Sequence, residues 1–100
     1  MKIITVCGSF RFKDEMSRVA EVLTLAGNCV LMPNELTKGK EEYTAEEAQM
    51  IDLMHKEKIR VSDAILVVNV GGYIGKSTRS EIAFAERLGK EIIYYSDLNV

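Results

Sequence analysis

The sequence predicts a small α/β domain in which a four-stranded parallel β-sheet carries helices on both faces. Three observations support this fold class. Four short apolar runs rich in β-branched residues alternate with segments whose apolar residues recur every three to four positions. The 100 residues are enough for one modest core. No internal repeat or linker interrupts the pattern, so residues 1–100 are interpreted as a single domain.

The four apolar runs are interpreted as strands that are buried on both faces. Short continuous apolar runs, rather than alternating ones, are typical of parallel strands covered by helices. In chain order the predicted strands are Ile3 to Val6, Cys29 to Met32, Ala64 to Val68 and Ile92 to Tyr95.

The segments between the strands are interpreted as three helices. The first covers Phe12 to Ala26, and Gly27 stands where a C-terminal cap is expected. The second opens at Thr44 with a T-x-x-E capping box to Glu47 and stops near Arg60.

The third helix is expected to start around Ser77 or Thr78 and to end at Gly89. Regular alternation of strands and helices implies right-handed crossovers and a doubly wound sheet. We predict the strand order 2-1-3-4, which places the crevice between strands 1 and 3, beyond their C-terminal ends. The two most glycine-rich loops of the chain lead into that crevice.

Composition excludes several function classes. A net charge of −2 gives no field for binding a nucleic-acid polymer. No apolar run approaches the ~20 residues of a membrane span, and the N-terminus lacks a secretory pattern, so we expect a cytoplasmic protein. Cys7 and Cys29 lack the spacing of a zinc site, and we expect neither a disulfide nor a metal.

The loop after the first strand is a candidate anion site. Gly8 allows close approach to a ligand, Ser9 offers a hydroxyl, and Arg11 can make a bidentate contact beside a helix N-terminus. The alternative is a tight turn capped by Ser9 with Arg11 in solvent.

The loop after the third strand runs from Asn69 to Thr78 and resembles a Walker A loop, but its glycine spacing is one residue short. Glu81 follows Thr78 by three residues. Two interpretations stay open at this point. Glu81 either closes a capping box with Thr78 or presents a carboxylate to the crevice, where it could attack an anomeric carbon.

Three segments together resemble the nucleoside 2-deoxyribosyltransferase-like family, which includes deoxynucleoside 5′-monophosphate N-glycosidases. They are Ile4 to Arg11, His55 to Asp63, and Ser77 to Glu81 with the alanines and the Gly89-Lys90 pair that follow. The resemblance implies a flavodoxin-like fold, Glu81 as the nucleophile on C1′ of deoxyribose, and a first loop that contacts sugar or 5′-phosphate.

The chain also departs from the family pattern. Thr5 stands where relatives often carry a tyrosine that helps to orient the nucleophile. His55 stands where the family usually has the acid that protonates the leaving base, and Asp52, one turn earlier, is the alternative acid. A lone histidine on an apolar helix face is also commonly a core residue.

We therefore expect an enzyme that cleaves or exchanges the N-glycosidic bond of a deoxynucleoside or its 5′-monophosphate, with no metal or cofactor. Glu81 would act with Asp52 or His55. The residues expected to bind the substrate are Gly8, Ser9, Arg11, Asn69, Tyr73, Gly75, Ser77 and Thr78.

Two rival functions are kept. One is a nucleotide-binding regulatory module without turnover, which Thr5 and His55 favour. The other is a phosphoribohydrolase of the cytokinin-activating type, whose P-G-G-x-G-T-x-x-E motif is matched only in part.

The polar stretch from Asn34 to Tyr43 is interpreted as a solvated loop, with a lid over the crevice as the alternative. We also expect a homodimer.

Overall fold

Four strands and three helices alternate along the chain in the computed structural model, which describes residues 1–100. The strands are β1 (Ile3–Gly8), β2 (Cys29–Leu31), β3 (Ala64–Val68) and β4 (Glu91–Tyr94). The helices are α1 (Lys13–Leu25), α2 (Ala45–Val61) and α3 (Lys76–Arg87). Short 3-10 turns follow β1, β3 and β4, and another precedes α2.

The strands form one parallel sheet in the order β2-β1-β3-β4, which confirms the predicted fold class and strand order. Strand β1 is longer than predicted because its pairing with β3 continues to Gly8, opposite Val68. Gly8 has a φ of +156°, and a Cβ at this position would lie 3.1 Å from the Val68 carbonyl oxygen. A glycine is therefore required where the two strands meet the crevice.

Helix α2 begins as predicted. The Thr44 hydroxyl accepts a hydrogen bond from the Glu47 N–H at 3.0 Å, and the Glu47 carboxylate accepts one from the Thr44 N–H at 2.9 Å. This reciprocal pair satisfies two N–H groups that would otherwise lack a partner in the first turn.

Helix α3 begins earlier than predicted, at Lys76, and its N-cap residue is Gly75. The proposed capping box between Thr78 and Glu81 is therefore wrong, because Thr78 already lies inside the helix. Both side chains are buried instead. The carboxyl group of Glu81 is consequently free of any role in starting the helix.

Helix α1 packs on one face of the sheet, whereas α2 and α3 pack on the other. Side chains alternate along each strand, so neighbouring residues contribute to opposite layers. No helix combines the length and the apolarity that crossing a membrane requires.

Candidate active site

A cavity of about 550 Å³ lies beyond the C-terminal ends of β1 and β3, where α3 begins. This is the topological switch point of the sheet, at which doubly wound folds commonly bind ligands. The volume falls within the range of small-molecule sites. Of the residues expected from the sequence, the cavity is lined by Gly8, Ser9, Asp52, His55, Tyr73, Gly75, Ser77, Thr78 and Glu81.

Arg11 and Asn69 do not line the cavity. The 3-10 turn after β1 directs the exposed Arg11 guanidinium over the Tyr73 ring, 3.9 Å from its centroid. Asn69 is buried, and its carboxamide bonds the backbone N–H and the hydroxyl of Ser96 at 3.0 and 3.1 Å. Arg11 therefore packs on a residue of the cavity wall, whereas Asn69 joins the segments that follow β3 and β4.

Glu81 points into the cavity from the second turn of α3, and 12% of its side chain is exposed. Burial raises the pKa of this carboxyl to about 7, and the charge of Asp52 acts in the same direction. A hydrogen bond with Cys7 and the charge of Lys56 partly oppose the rise. Elevated carboxyl pKa values of this kind are characteristic of functional sites.

His55 lies next to Glu81, with its Nε2 atom 3.8 Å from Glu81 Oε1. Burial lowers the pKa of His55 to about 4, and the nearby charge of Lys58 acts in the same direction. The imidazole is therefore neutral at neutral pH. Its Nδ1 atom is buried and has no hydrogen-bond partner.

Cys7 completes this cluster from the end of β1. Its sulfur lies 3.5 Å from His55 Nε2, and burial raises the pKa of the thiol well above its usual value. The sequence pattern predicted no role in the site for Cys7. No sequence signal reveals this contact, because it joins residues 48 positions apart.

Asp52 lies one turn closer than His55 to the start of α2 and lines the cavity. Its carboxylate forms an i,i+4 ion pair with Lys56 at 3.1 Å. The helix thus presents both candidate acids of the sequence analysis on one face.

The segment between β2 and α2 forms part of the cavity wall. Asn34, Leu36, Lys40 and Tyr43 all line the cavity. The Lys58 ammonium anchors the start of the segment by donating to the Met32 carbonyl and to Asn34 Oδ1, both at 2.8 Å. Leu36 and Tyr43, apolar positions within a polar stretch, are the signal that distinguishes this wall from a solvated loop.

The N-terminus of α3 opens on the cavity through Gly75, Lys76 and Ser77. Gly75 provides no side-chain cap for the first-turn N–H groups. Together with the Lys76 ammonium and the Ser77 hydroxyl, these N–H groups make a surface suited to an anionic group. Lys40 adds a second ammonium to the cavity lining.

No protein-family model and no curated protein matches the sequence. Solved structures do match. The 2-deoxyribosyltransferase of Leishmania mexicana superposes with a TM-score of 0.68 and 19% identity, over 95% of this chain and 64% of that enzyme. The 2-deoxyribosyltransferase of Bacillus psychrosaccharolyticus gives a TM-score of 0.71 and 19% identity, over 92% and 70% of the respective chains.

The CMP N-glycosidase of Clostridium botulinum superposes with a TM-score of 0.59 and 19% identity, over 93% of this chain and 70% of that enzyme. The chain thus spans about two thirds of the length of these enzymes, and 64% of the Leishmania enzyme. The chain has the fold of the 2-deoxyribosyltransferases, which supports its resemblance to the nucleoside 2-deoxyribosyltransferase-like family.

Proposed function

We propose that this protein cleaves or exchanges the N-glycosidic bond of a 2′-deoxynucleoside or its 5′-monophosphate, with Glu81 as the nucleophile. The position of Glu81 is the observation that carries the proposal. Its carboxyl group is buried and lines the cavity, and Gly8, Ser9 and the start of α3 line the same cavity. That arrangement brings a nucleophile and an anion-binding surface to one ligand.

The chemistry proceeds in two displacements. An oxygen of ionised Glu81 forms a bond to C1′ while the bond between C1′ and the base nitrogen breaks, and the base leaves with the electron pair and acquires a proton. Water or a second base then attacks C1′ and releases the Glu81 carboxylate. Water makes the protein a hydrolase, and a second base makes it a transferase.

The remaining cavity residues fit a nucleotide. The free N–H groups at the start of α3, with Lys76 and Ser77, would hold a 5′-phosphate. Ser9 would contact the sugar or the phosphate, and the Tyr73 ring would lie against the base. Names of structural relatives support this substrate class, since they are 2-deoxyribosyltransferases and a CMP N-glycosidase.

Asp52 and His55 are both candidates for delivering the proton to the leaving base. His55 is neutral at neutral pH because its pKa is lowered to about 4, and Asp52 is a carboxylate ion-paired with Lys56. Both line the cavity, where either could orient a water molecule from which the leaving base takes its proton.

A nucleotide-binding module without turnover is the second candidate, and two observations favour it. The Thr5 hydroxyl is 2.6 Å from Ser62 Oγ and donates to the Lys58 carbonyl at 3.1 Å, so it does not orient Glu81. The neutral His55 replaces the acid that the family pattern leads one to expect. Such a protein would bind nucleotides and leave them intact.

The test measures base release by chromatography from each deoxynucleoside and deoxynucleoside monophosphate, with and without a second free base, in the presence of EDTA. We expect Glu81→Gln to lower the rate by about 1,000-fold or more while ligand affinity is retained. The matched control is Glu86→Gln, which removes an exposed carboxylate from the same helix and leaves the rate unchanged.

Release that persists in Glu81→Gln would contradict the assignment of the nucleophile. Saturable binding without release from any substrate would establish the binding module instead. Dependence of product formation on the added base separates transferase from hydrolase.

A further inference from the structure

The cluster of Cys7, His55 and Glu81 contains two groups that the proposed reaction does not use. A thiol from β1, an imidazole from α2 and a carboxyl group from α3 converge on one point beside the cavity. Cys7 Sγ lies 3.5 Å from His55 Nε2, which lies 3.8 Å from Glu81 Oε1. The three potential ligand atoms all fall within 4.8 Å of one another.

These separations fit a small tetrahedral metal ion. Bonds of about 2.3 Å to sulfur and about 2.0 to 2.2 Å to nitrogen or oxygen place neighbouring ligand atoms roughly 3.3 to 3.6 Å apart. The distance from sulfur to nitrogen already lies in this range, and the distance from nitrogen to oxygen exceeds it by a few tenths of an ångström. The sulfur and the oxygen lie within 4.8 Å of each other, so side-chain rotations that bring the carboxylate closer to the sulfur would complete the geometry.

The three side chains turn their ligand atoms toward one another. His55 is more than nine-tenths buried, and its Nε2 atom faces both the Cys7 sulfur and the Glu81 carboxyl group. Cys7 is also hydrogen-bonded to Glu81, and the contact of 3.8 Å between Nε2 and Glu81 is too long for a hydrogen bond. A metal ion between the three atoms would therefore replace only the hydrogen bonds of a thiol, which are weak.

The chemistry of the ligands selects the ion. One thiolate, one neutral imidazole and one carboxylate favour zinc-type transition metals over magnesium or calcium. A thiolate and a carboxylate carry two negative charges between them, which a divalent cation neutralises, so the buried site has no net charge. Cys7 releases its proton to solvent on binding, and so does Glu81 when it is protonated.

We propose that Cys7 Sγ, His55 Nε2 and a carboxylate oxygen of Glu81 bind one zinc-type divalent ion, with the fourth coordination position open to the cavity. Three protein ligands and one open position are the arrangement found in reactive zinc sites. His55 and Glu81 line the cavity, whereas Cys7 is fully buried. Because the ion binds the Glu81 carboxylate, that carboxylate cannot act as a nucleophile, and the metal-bound form is inactive in the glycosyl transfer proposed above.

The test titrates the reduced, metal-free protein with Co²⁺ and follows the absorption that a thiolate bound to cobalt produces in the near ultraviolet. We expect one ion per chain, displaced by Zn²⁺. Cys7→Ser should abolish the band and weaken binding by about 100-fold or more. Cys29→Ser is the matched control, since it removes the other free cysteine, which lies in β2, and should leave binding unchanged.

Substitution of the fully buried Cys7 could impair folding, so Glu81→Gln provides a second variant at the cavity surface. Zn²⁺ should raise the melting temperature of the wild type and of Cys29→Ser, and should raise that of Glu81→Gln much less. Equal shifts in wild type and Glu81→Gln, or the absence of a thiolate band in the wild type, would overturn the proposal.

The two proposals fail independently. Cobalt binding is measured without substrate, and base release is measured in EDTA. Metal binding without base release would refute only the glycosyl chemistry, and base release without metal binding would refute only the metal site.

Discussion

The two faces of the sheet differ in the polarity of the side chains that are buried on them. Beneath α1 lies a buried core of apolar residues, namely Ile4, Val6, Met16, Val19, Ala64, Leu66 and Val68. The layer beneath α2 and α3 contains apolar residues too, but the buried polar side chains also cluster there. Those that lie on this side are Thr5, His55, Ser62, Thr78 and Glu81.

This difference suits the two layers to different roles, one in stability and the other at the candidate site. Burying a polar group without a good partner costs free energy, so an apolar layer is the stable default. Thr5 and Ser62 satisfy each other, which makes them compatible with a structural role. His55 and Glu81 instead bond to the Cys7 thiol, and burial shifts both pKa values so that the neutral forms are favoured. Because shifted pKa values are common at functional sites, the end of the polar layer that lines the cavity is the candidate functional site.

Among the four variants discussed next, the largest loss of stability is expected in the apolar layer. Leu66→Ala removes a fully buried side chain from the central strand β3 and should lower the free energy of unfolding by about 3 kcal/mol. Denaturant unfolding measures the loss. Base release from the folded variant, assayed well below its melting temperature, should match the wild type, and a lower rate would show that the two layers are coupled.

The polar layer is tested by the pH dependence of the free energy of unfolding, measured in the presence of EDTA. The folded pKa of Glu81 is raised from 4.5 to about 7, so its stabilising contribution is complete below pH 4.5 and is lost as pH rises through 7. The folded pKa of His55 is lowered from 6.5 to about 4, so its contribution is complete above pH 6.5 and is lost as pH falls through 4. The two contributions have opposite signs and largely cancel between pH 4.5 and 6.5.

Single variants should reveal each contribution. Glu81→Gln retains only the His55 contribution, so its stability should rise between pH 4 and 6.5, by up to about 3 kcal/mol. His55→Gln retains only the Glu81 contribution, so its stability should fall between pH 4.5 and 7 by a similar amount. Parallel pH profiles for the two variants, obtained by urea unfolding, would contradict this account.

The smallest effect is expected from Thr5→Val. Valine keeps the shape of threonine but loses the hydrogen bonds with Ser62 and the Lys58 carbonyl, so stability should fall by about 1 kcal/mol. Because Thr5 does not contact Glu81 through these bonds, the rate of base release should be unchanged. Steady-state kinetics beside thermal unfolding would check both statements, and a rate loss of about 10-fold would give Thr5 a positioning role.

The fold was predictable because local patterns specify it. Apolar runs located all four strands, and the Thr44 capping box located the start of α2. Errors fell at element ends, where pairing partners decide the boundary. Strand β1 extends to Gly8 because β3 lies beside it, and α3 begins at Lys76 instead of Ser77 or Thr78.

Most residues of the candidate site could be predicted, because the two glycine-rich loops lead into the switch point of the sheet. The glycines and hydroxyls of the two loops, with Asp52, His55 and Glu81, line one cavity. Arg11 and Asn69 were expected there, but their side chains are used by Tyr73 and Ser96. In both cases a partner that is distant in sequence holds the side chain outside the cavity lining.

The sequence by itself determined the order of the elements, because hydrophobic period and glycine placement act locally along the chain. It offered Glu81 as a candidate nucleophile, and only the family resemblance favoured that role over a helix cap. Only the tertiary structure decided that Cys7, His55 and Glu81 meet, and that His55 and Glu81 favour their neutral forms. The physical reason is that the desolvation and the mutual geometry of these side chains depend on which surfaces pack together. Both arise only when three separate elements meet at one point.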